Sequence, residues 1–237
     1  MPALAPSPLR DQLLVAVLLA TIAWGADSSG LDQLLANAAY DPVLQAFPAR
    51  GSNLLQLVGH RLAKSAVWIV WCLLLATSIA SLRVAALARW RHVLWATTAA
   101  MAAGPAVVTL LKLVTAQRCP WDLVEFGGHA AFRSGWLVSR AEAGRCFPGG
   151  HAAGGFSLVS IYFAGVALAA ARLRAAGLLA GVGAGVAFSA VRMVQGAHFL
   201  SHNLWSAFVV WTVAALIFAL LLPARRAVPA AVRMGAA

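Results

Sequence analysis

Six apolar stretches without charge set the terms for this chain: Leu13–Ala26, Ser65–Leu82, Val93–Leu111, Ala152–Ala171, Ala175–Val191 and Leu204–Ala224. Most approach the length of about 20 residues that crosses a bilayer core as helix. At that depth every backbone N–H and C=O must be satisfied inside the protein, which leaves helices or a closed barrel. The alternating ten-residue pattern of barrel strands is missing. The sequence therefore predicts an all-α fold, a polytopic membrane bundle of six transmembrane helices forming a single membrane domain over 1–237. Composition agrees, because 62% hydrophobic residues against 11% charged excludes both a soluble globule and a solvated disordered chain. The first stretch is the shortest. Lying behind Arg10 and ending in Gly25 and Ala26, it reads as an uncleaved signal-anchor, with a cleaved signal peptide as the alternative.

Charge sets the expected orientation. An even number of spans puts both ends on one side, together with the links Arg83–His92 and Arg172–Arg174. That side collects Arg10, Arg83, Arg89, Arg91, Arg172, Arg174, Arg225, Arg226 and Arg233 against Asp11 alone. Short Arg-rich loops stay cytoplasmic, so both termini are predicted inside, with 225–237 a cytoplasmic tail. The segments Asp27–Lys64 and Lys112–His151 then face outward, toward the periplasm if this is a bacterial inner membrane. Most of the net charge of +11 is thereby topology, and no nucleic-acid partner is expected. Within the outer segment 27–64, Leu31, Leu34, Leu35 and Ala38 repeat at helical spacing, as do Leu54, Leu55, Leu57 and Val58. A helix lying in the membrane interface is one outcome and plain packing against the bundle the other.

The remaining polar residues gather at one level. Lys112 and Arg118 follow the outer end of the third span and His151 opens the fourth. Arg192 closes the fifth, and His198 and His202 stand at the start of the sixth. Ionisable groups at such positions are functional candidates. Two guanidinium groups and an ammonium without nearby carboxylates make a cradle for a multiply charged oxyanion such as phosphate. Pro148-Gly149-Gly150-His151 precedes a helix, where small residues expose N–H groups at the positive end of the dipole. Two imidazoles there could serve phosphoryl transfer as nucleophile and general acid, with the cations stabilising equatorial oxygens. Singly, each feature has a plainer reading: interfacial anchors for Lys112, Arg118 and Arg192, a relaxed turn for the glycines, a structural ring for any one histidine. His60, His92 and His129 carry only that plainer reading. No carboxylate cluster suggests a magnesium site, and neither metal nor cofactor is expected.

Lys112 to Pro120, Pro148-Gly149-Gly150-His151 and Arg192-Met193-Val194-Gln195-Gly196-Ala197-His198 resemble the three signature motifs of the type-2 phosphatidic acid phosphatase and vanadium haloperoxidase superfamily. The resemblance covers a phosphatase-like core at 93–224. It implies a metal-independent phosphatase with a phosphohistidine intermediate. His198 is then the nucleophile, His151 the general acid, and Lys112, Arg118, Gly149, Gly150 and Arg192 the phosphate ligands.

Three departures stand out. Arg118 follows Lys112 by six residues instead of seven, with Cys119 before Pro120. Gly149 replaces the usual serine. The acid expected four residues after the nucleophile is His202, followed by Asn203. His202, Asn203 or, from the loop, Asp122 or Glu125 is then expected to orient the imidazole. The long aromatic loop from Cys119 to Cys146 is similar to that of a superfamily branch of poorly defined substrate and is a candidate lid. Because both cysteines face the oxidising side, a disulfide Cys119–Cys146 is expected there, two free thiols being the alternative. Cys72 reads as a packing residue.

The expected function is a membrane lipid phosphatase acting on a phosphate monoester or pyrophosphate lipid at the outer face. The alternatives are a phosphotransferase passing phosphate from a polyprenyl pyrophosphate to lipid A, and a catalytically degraded phospholipid-binding protein.

Overall fold

The computed structural model describes residues 9–57 and 62–222. His60 and the tail at 225–237 lie outside the described residues. Among the described residues ten α-helices follow in order: α1 Leu9–Ser28, α2 Leu31–Ala39, α3 Asn53–Gln56, α4 Ala63–Ala80, α5 Ala85–Ala88, α6 Arg91–Leu111, α7 Gly150–Phe156, α8 Val159–Ala167, α9 Ala171–Val194 and α10 Leu200–Leu221. Six spans are long and apolar enough to cross a membrane: α1, α4, α6, α7 with α8, α9 and α10. The protein is an integral membrane helix bundle, with no strand among the described residues.

The bundle closes around α10. Ala207, Val210, Trp211, Ala214 and Phe218 are buried with Ala16 of α1, Ala96, Ala100 and Val108 of α6, and Phe156, Val159 and Phe163 of α7 and α8. Trp211 donates its indole N–H to Gln12 O at 3.0 Å. That bond satisfies the one polar atom of a large ring placed in the core. It also fastens α1 to α10, so α1 packs as a bundle helix. By contrast α4 leans on the assembly by one face: Trp71 donates to Thr98 O at 3.2 Å, and the Ser78 and Thr98 hydroxyls meet at 2.9 Å.

α9 docks through glycines. Gly177, Gly181 and Gly185 are buried in one row at i, i+4 spacing. A Cβ at Gly177 would collide with the backbone of Ile161 and Tyr162, at Gly181 with Val159, and at Gly185 with the Phe156 ring. Without a hydrophobic force between helices in lipid, such close approach is what holds them together.

The outer segment packs differently from its apolar pattern. In α2 the buried residues are Asp32 and Ala36, while Leu34 is 65% exposed, as is Leu54 of α3 at 67%. Ala36 joins Phe47, Leu123, Phe126 and Phe199 in a second small core. The face that packs is thus offset from the stripe Leu31, Leu34, Leu35 and Ala38, and Leu34 and Leu54 remain outside it.

Gly185→Leu is expected to drive α9 from α7 and lower stability by about 1–3 kcal/mol, the usual range for overpacking. Thermal unfolding of the variant in detergent checks this, and an unchanged midpoint would refute the close-packing account.

Candidate active site

One end of the bundle, where α6 and α9 end and α7 and α10 begin, brings Lys112, Gly150, His151, Arg192 and His198 to one place. Lys112 caps α6, and a Cβ on Gly150 would come within 3.2 Å of its Nζ. A side chain there would crowd the ammonium by a few tenths of an ångström. Burial, then the nearby Arg192 charge, bring the Lys112 ammonium down to about 8.

Arg192 is held by two partners. Its Nη1 donates to Gln195 Oε1 at 2.8 Å, and its guanidinium lies 5.3 Å from the centre of the Trp121 ring. Arg50 stacks on the same ring at 4.3 Å. One N–H remains unmet, because Arg192 Nε is buried without a hydrogen-bond partner. A buried donor of that kind costs stability unless a ligand supplies the acceptor. An oxyanion would do so with charge assistance.

His198 is 5% exposed and sits between Lys112, His202, Arg192 and His151. Burial first, then the charges of those neighbours in that order, hold its imidazole well below the usual value. The ring is therefore neutral at pH 7, as a nucleophile must be. Its Nδ1 lies 3.3 Å from Cys146 Sγ. Cys146 is bonded to Cys119, and a disulfide sulfur has no hydrogen to give. The imidazole N–H is then on Nδ1, which leaves the Nε2 lone pair for chemistry. The two sulfurs and the His198 ring nitrogen lie within 4.8 Å of one another, yet joined sulfurs offer no thiolate for a metal.

Several expected roles fall differently. Nδ1 of His198 meets sulfur, and none of His202, Asn203 and Asp122 is hydrogen-bonded to it. The His202 ring stands 5.8 Å from that of His198, wedged edge-on against Phe147 and Phe199. Asn203 Nδ2 donates to Phe199 O at 3.0 Å, and Asp122 uses its carbonyl for His129 and Ala130 N–H. Gly149 does not offer its N–H to a phosphate, because it donates to His202 O at 2.9 Å. A Cβ on Gly149 would strike Asn203 Oδ1, which accounts for glycine in place of the usual serine. Arg118 is half-buried and is not among the charges acting on His198. The Cys119–Cys146 loop is anchored at points, while 131–134 and 139–142 are exposed. Leu123, Phe126, Cys146 and Phe147 are buried, and Trp136 meets Phe147 and Trp205 edge-on at 4.9 and 5.6 Å. Cys72, expected in packing, is exposed on α4.

Three contributors escaped the sequence reading. Arg50 and Trp121 buttress Arg192. Asp32 of α2 accepts hydrogen bonds from Ser201 N at 2.9 Å and from the Ser201 hydroxyl, which caps α10 where its own N-cap, Phe199, has no side-chain acceptor. Burial leads the causes that raise the Asp32 carboxyl above its usual value, and the two Ser201 bonds oppose it.

Residues 93–226, more than half of the chain, match the PAP2 superfamily. The chain belongs to that superfamily. PAP2 proteins carry out phosphatase and phosphotransferase chemistry, and the cationic, histidine-bearing end of this bundle suits a phosphorylated substrate. No curated protein and no solved structure matches the chain.

Two outcomes are expected at this PAP2 site. Cys146→Ala removes the Nδ1 partner and should lower kcat by about 10- to 100-fold, the range for lost outer-shell partners of a functional imidazole; steady-state turnover on any accepted phosphate ester checks it, and full activity would discard the sulfur as a partner. The ammonium of Lys112 is charged below about 8 and neutral above it, so kcat/KM should fall as pH rises through that value, while the lowered imidazole keeps the acid limb below the usual histidine range. Lys112→Arg should carry the alkaline limb upward in a pH–rate profile.

Proposed function

We propose that this PAP2 protein is a membrane lipid phosphatase that removes phosphate from a monoester or pyrophosphate lipid at the outer face of the membrane. The observation that carries the reading is a groove of about 490 Å³ between α4 and α6. Val67, Trp68, Trp71, Met101, Pro105 and Ala106 line it, and it reaches Lys112, Gly150 and His151. From Met101 to Lys112 the helix rises roughly 16 Å at 1.5 Å per residue, a length suited to an acyl or prenyl chain lying in the bilayer with its phosphate at the cations.

In this reading His198 Nε2 attacks phosphorus. Lys112 and Arg192 take up the charge of the equatorial oxygens, and the unmet Arg192 Nε–H gains its acceptor. His151 gives a proton to the leaving oxygen. Water, activated by the same ring, then breaks the phosphorus–nitrogen bond and frees phosphate, regenerating neutral His198. The Arg-rich links and ends support a reading with both termini in the cytoplasm and the site at the periplasmic side of a bacterial inner membrane.

The deciding assay is phosphate release in detergent, with EDTA, from long-chain lipid phosphates beside a short water-soluble monoester. Release is expected to persist in EDTA and to vanish in His198→Ala. Ala106, exposed and groove-lining, gives the second arm. Ala106→Trp should cut kcat/KM for the long-chain lipid at least about tenfold, equal to 1.4 kcal/mol, and spare the short ester. Equal losses on both would remove the groove from the reading, and no hydrolysis of any ester would overturn it.

A further inference from the structure

A second pocket, of about 310 Å³, is lined by Asp27, Asp32, Gln117, Glu125 and His202 among others. The chain has 18 Lys and Arg against 7 Asp and Glu, yet three of those seven carboxylates converge here and no lysine or arginine lines the pocket. They come from three elements: the last turn of α1, α2 and the outer loop. Two neutral side chains of the same lining are also unmet. Gln117 Oε1 and His202 Nδ1 are buried without a hydrogen-bond partner, in residues 7% and 1% exposed.

We propose that this pocket binds a primary ammonium group. The charged and the unmet atoms of its lining are acceptors: the carboxylates, the Gln117 amide oxygen and, in the Nε2–H tautomer, His202 Nδ1. An ammonium presents three donors, no acceptor and one positive charge, which matches that set. The rings of Phe132 and Phe199, also in the lining, are favourable neighbours for a cation. A directly chelated metal ion fits less well. Among the described residues the group with three ligand atoms within 4.8 Å of one another is Cys119, Cys146 and His198, not these acids. Asp32 keeps both Ser201 bonds in this arrangement, since each carboxylate oxygen accepts more than one hydrogen bond, so Asp27 and Glu125 are the charges left for the ligand. The amine can arrive free in solution or as the headgroup of an ethanolamine lipid, because Asp27 ends a membrane span.

The test reads binding, so it is independent of any phosphatase activity. The full chain in detergent is titrated at constant ionic strength with ethanolamine, choline, ethylene glycol and calcium, following the unfolding midpoint, which rises with a ligand that binds the folded state. Ethanolamine is expected to raise it saturably. Choline, which lacks N–H donors, should bind at least about tenfold more weakly, and the neutral diol should have no effect. Asp27→Asn with Glu125→Gln should weaken ethanolamine by about tenfold or more, while Glu142→Gln, an outer-loop acid away from the pocket, should leave it unchanged. If the double variant does not fold, Glu125→Gln alone carries this arm, since Glu125 is exposed. Nanodiscs of phosphatidylcholine with and without phosphatidylethanolamine assign the source: stabilisation that depends on the ethanolamine lipid and on Glu125 points to the headgroup. Equal stabilisation by the diol, stabilisation by calcium alone, full ethanolamine binding by the acid variants, or no response to the amine in either form would overturn the proposal.

Discussion

The N-terminus of α10 has to be satisfied in a place where little water reaches, and the arrangement of this end of the bundle follows from how that is done. The first turn of a helix leaves N–H groups without intrahelical partners. Here the residue at the cap, Phe199, has nothing to offer, so Asp32 supplies a carboxylate from 169 positions away. One residue further, His202 O accepts from Gly149 N, and the Ser206 hydroxyl bridges Gly149 O and His202 O. These bonds fix α7 and α2 against the same turn of α10. His151 and His198 then share one rigid frame, and α2 is part of the site even though it lies outside the matched region.

Within that frame the charges oppose one another. Lys112 and Arg192 approach closely enough for each to bear on the buried His198, with Arg50 behind Arg192, and no carboxylate is interposed. Like charges in a low-dielectric setting cost free energy that folding alone does not return. The cost is offset when a multiply charged anion enters, since the same repulsion becomes attraction to its oxygens. Trp121 and Gln195 hold the Arg192 guanidinium in place meanwhile, which keeps the side-chain ordering cost from falling on the binding step.

Six spans and the fold class were legible because bilayer thickness and backbone satisfaction leave few choices for an apolar chain. The three basic clusters were legible because Lys112, His151, Arg192 and His198 all fall at span ends, where the period of the chain folds them to one level. What escaped reading was held by contacts across long sequence separations. Asp32 carries no mark of a cap for residue 201, and Arg50 none of a stack on Trp121. The packed face of α2 was missed because its burial is set by a small aromatic core, Phe47, Phe126 and Phe199, contributed by segments with no shared periodicity. Nor could spacing show that Cys146, 52 positions before His198, would be the atom at Nδ1.

The departures from the family motifs are connected through shared space. Asn203 Oδ1 occupies the volume a side chain at 149 would need, so serine at 149 and asparagine at 203 exclude each other in this packing. With His202 at the position of the acid, an edge-on ring fills the gap between Phe147 and Phe199, and its stacking is apolar where a carboxylate would demand donors. The negative charge absent from residue 202 is not restored at His198; a disulfide sulfur takes its place, a weak acceptor that still fixes the proton on Nδ1. Loss of the carboxylate removes stabilisation of a cationic imidazole. A ring crowded by Lys112 and Arg192 has little use for such stabilisation until phosphate arrives, because its dianionic charge can then serve the ring directly. In the proposed reaction, orientation and charge compensation, supplied by one carboxylate in the motif's usual form, would thus be divided between Cys146 and the substrate itself.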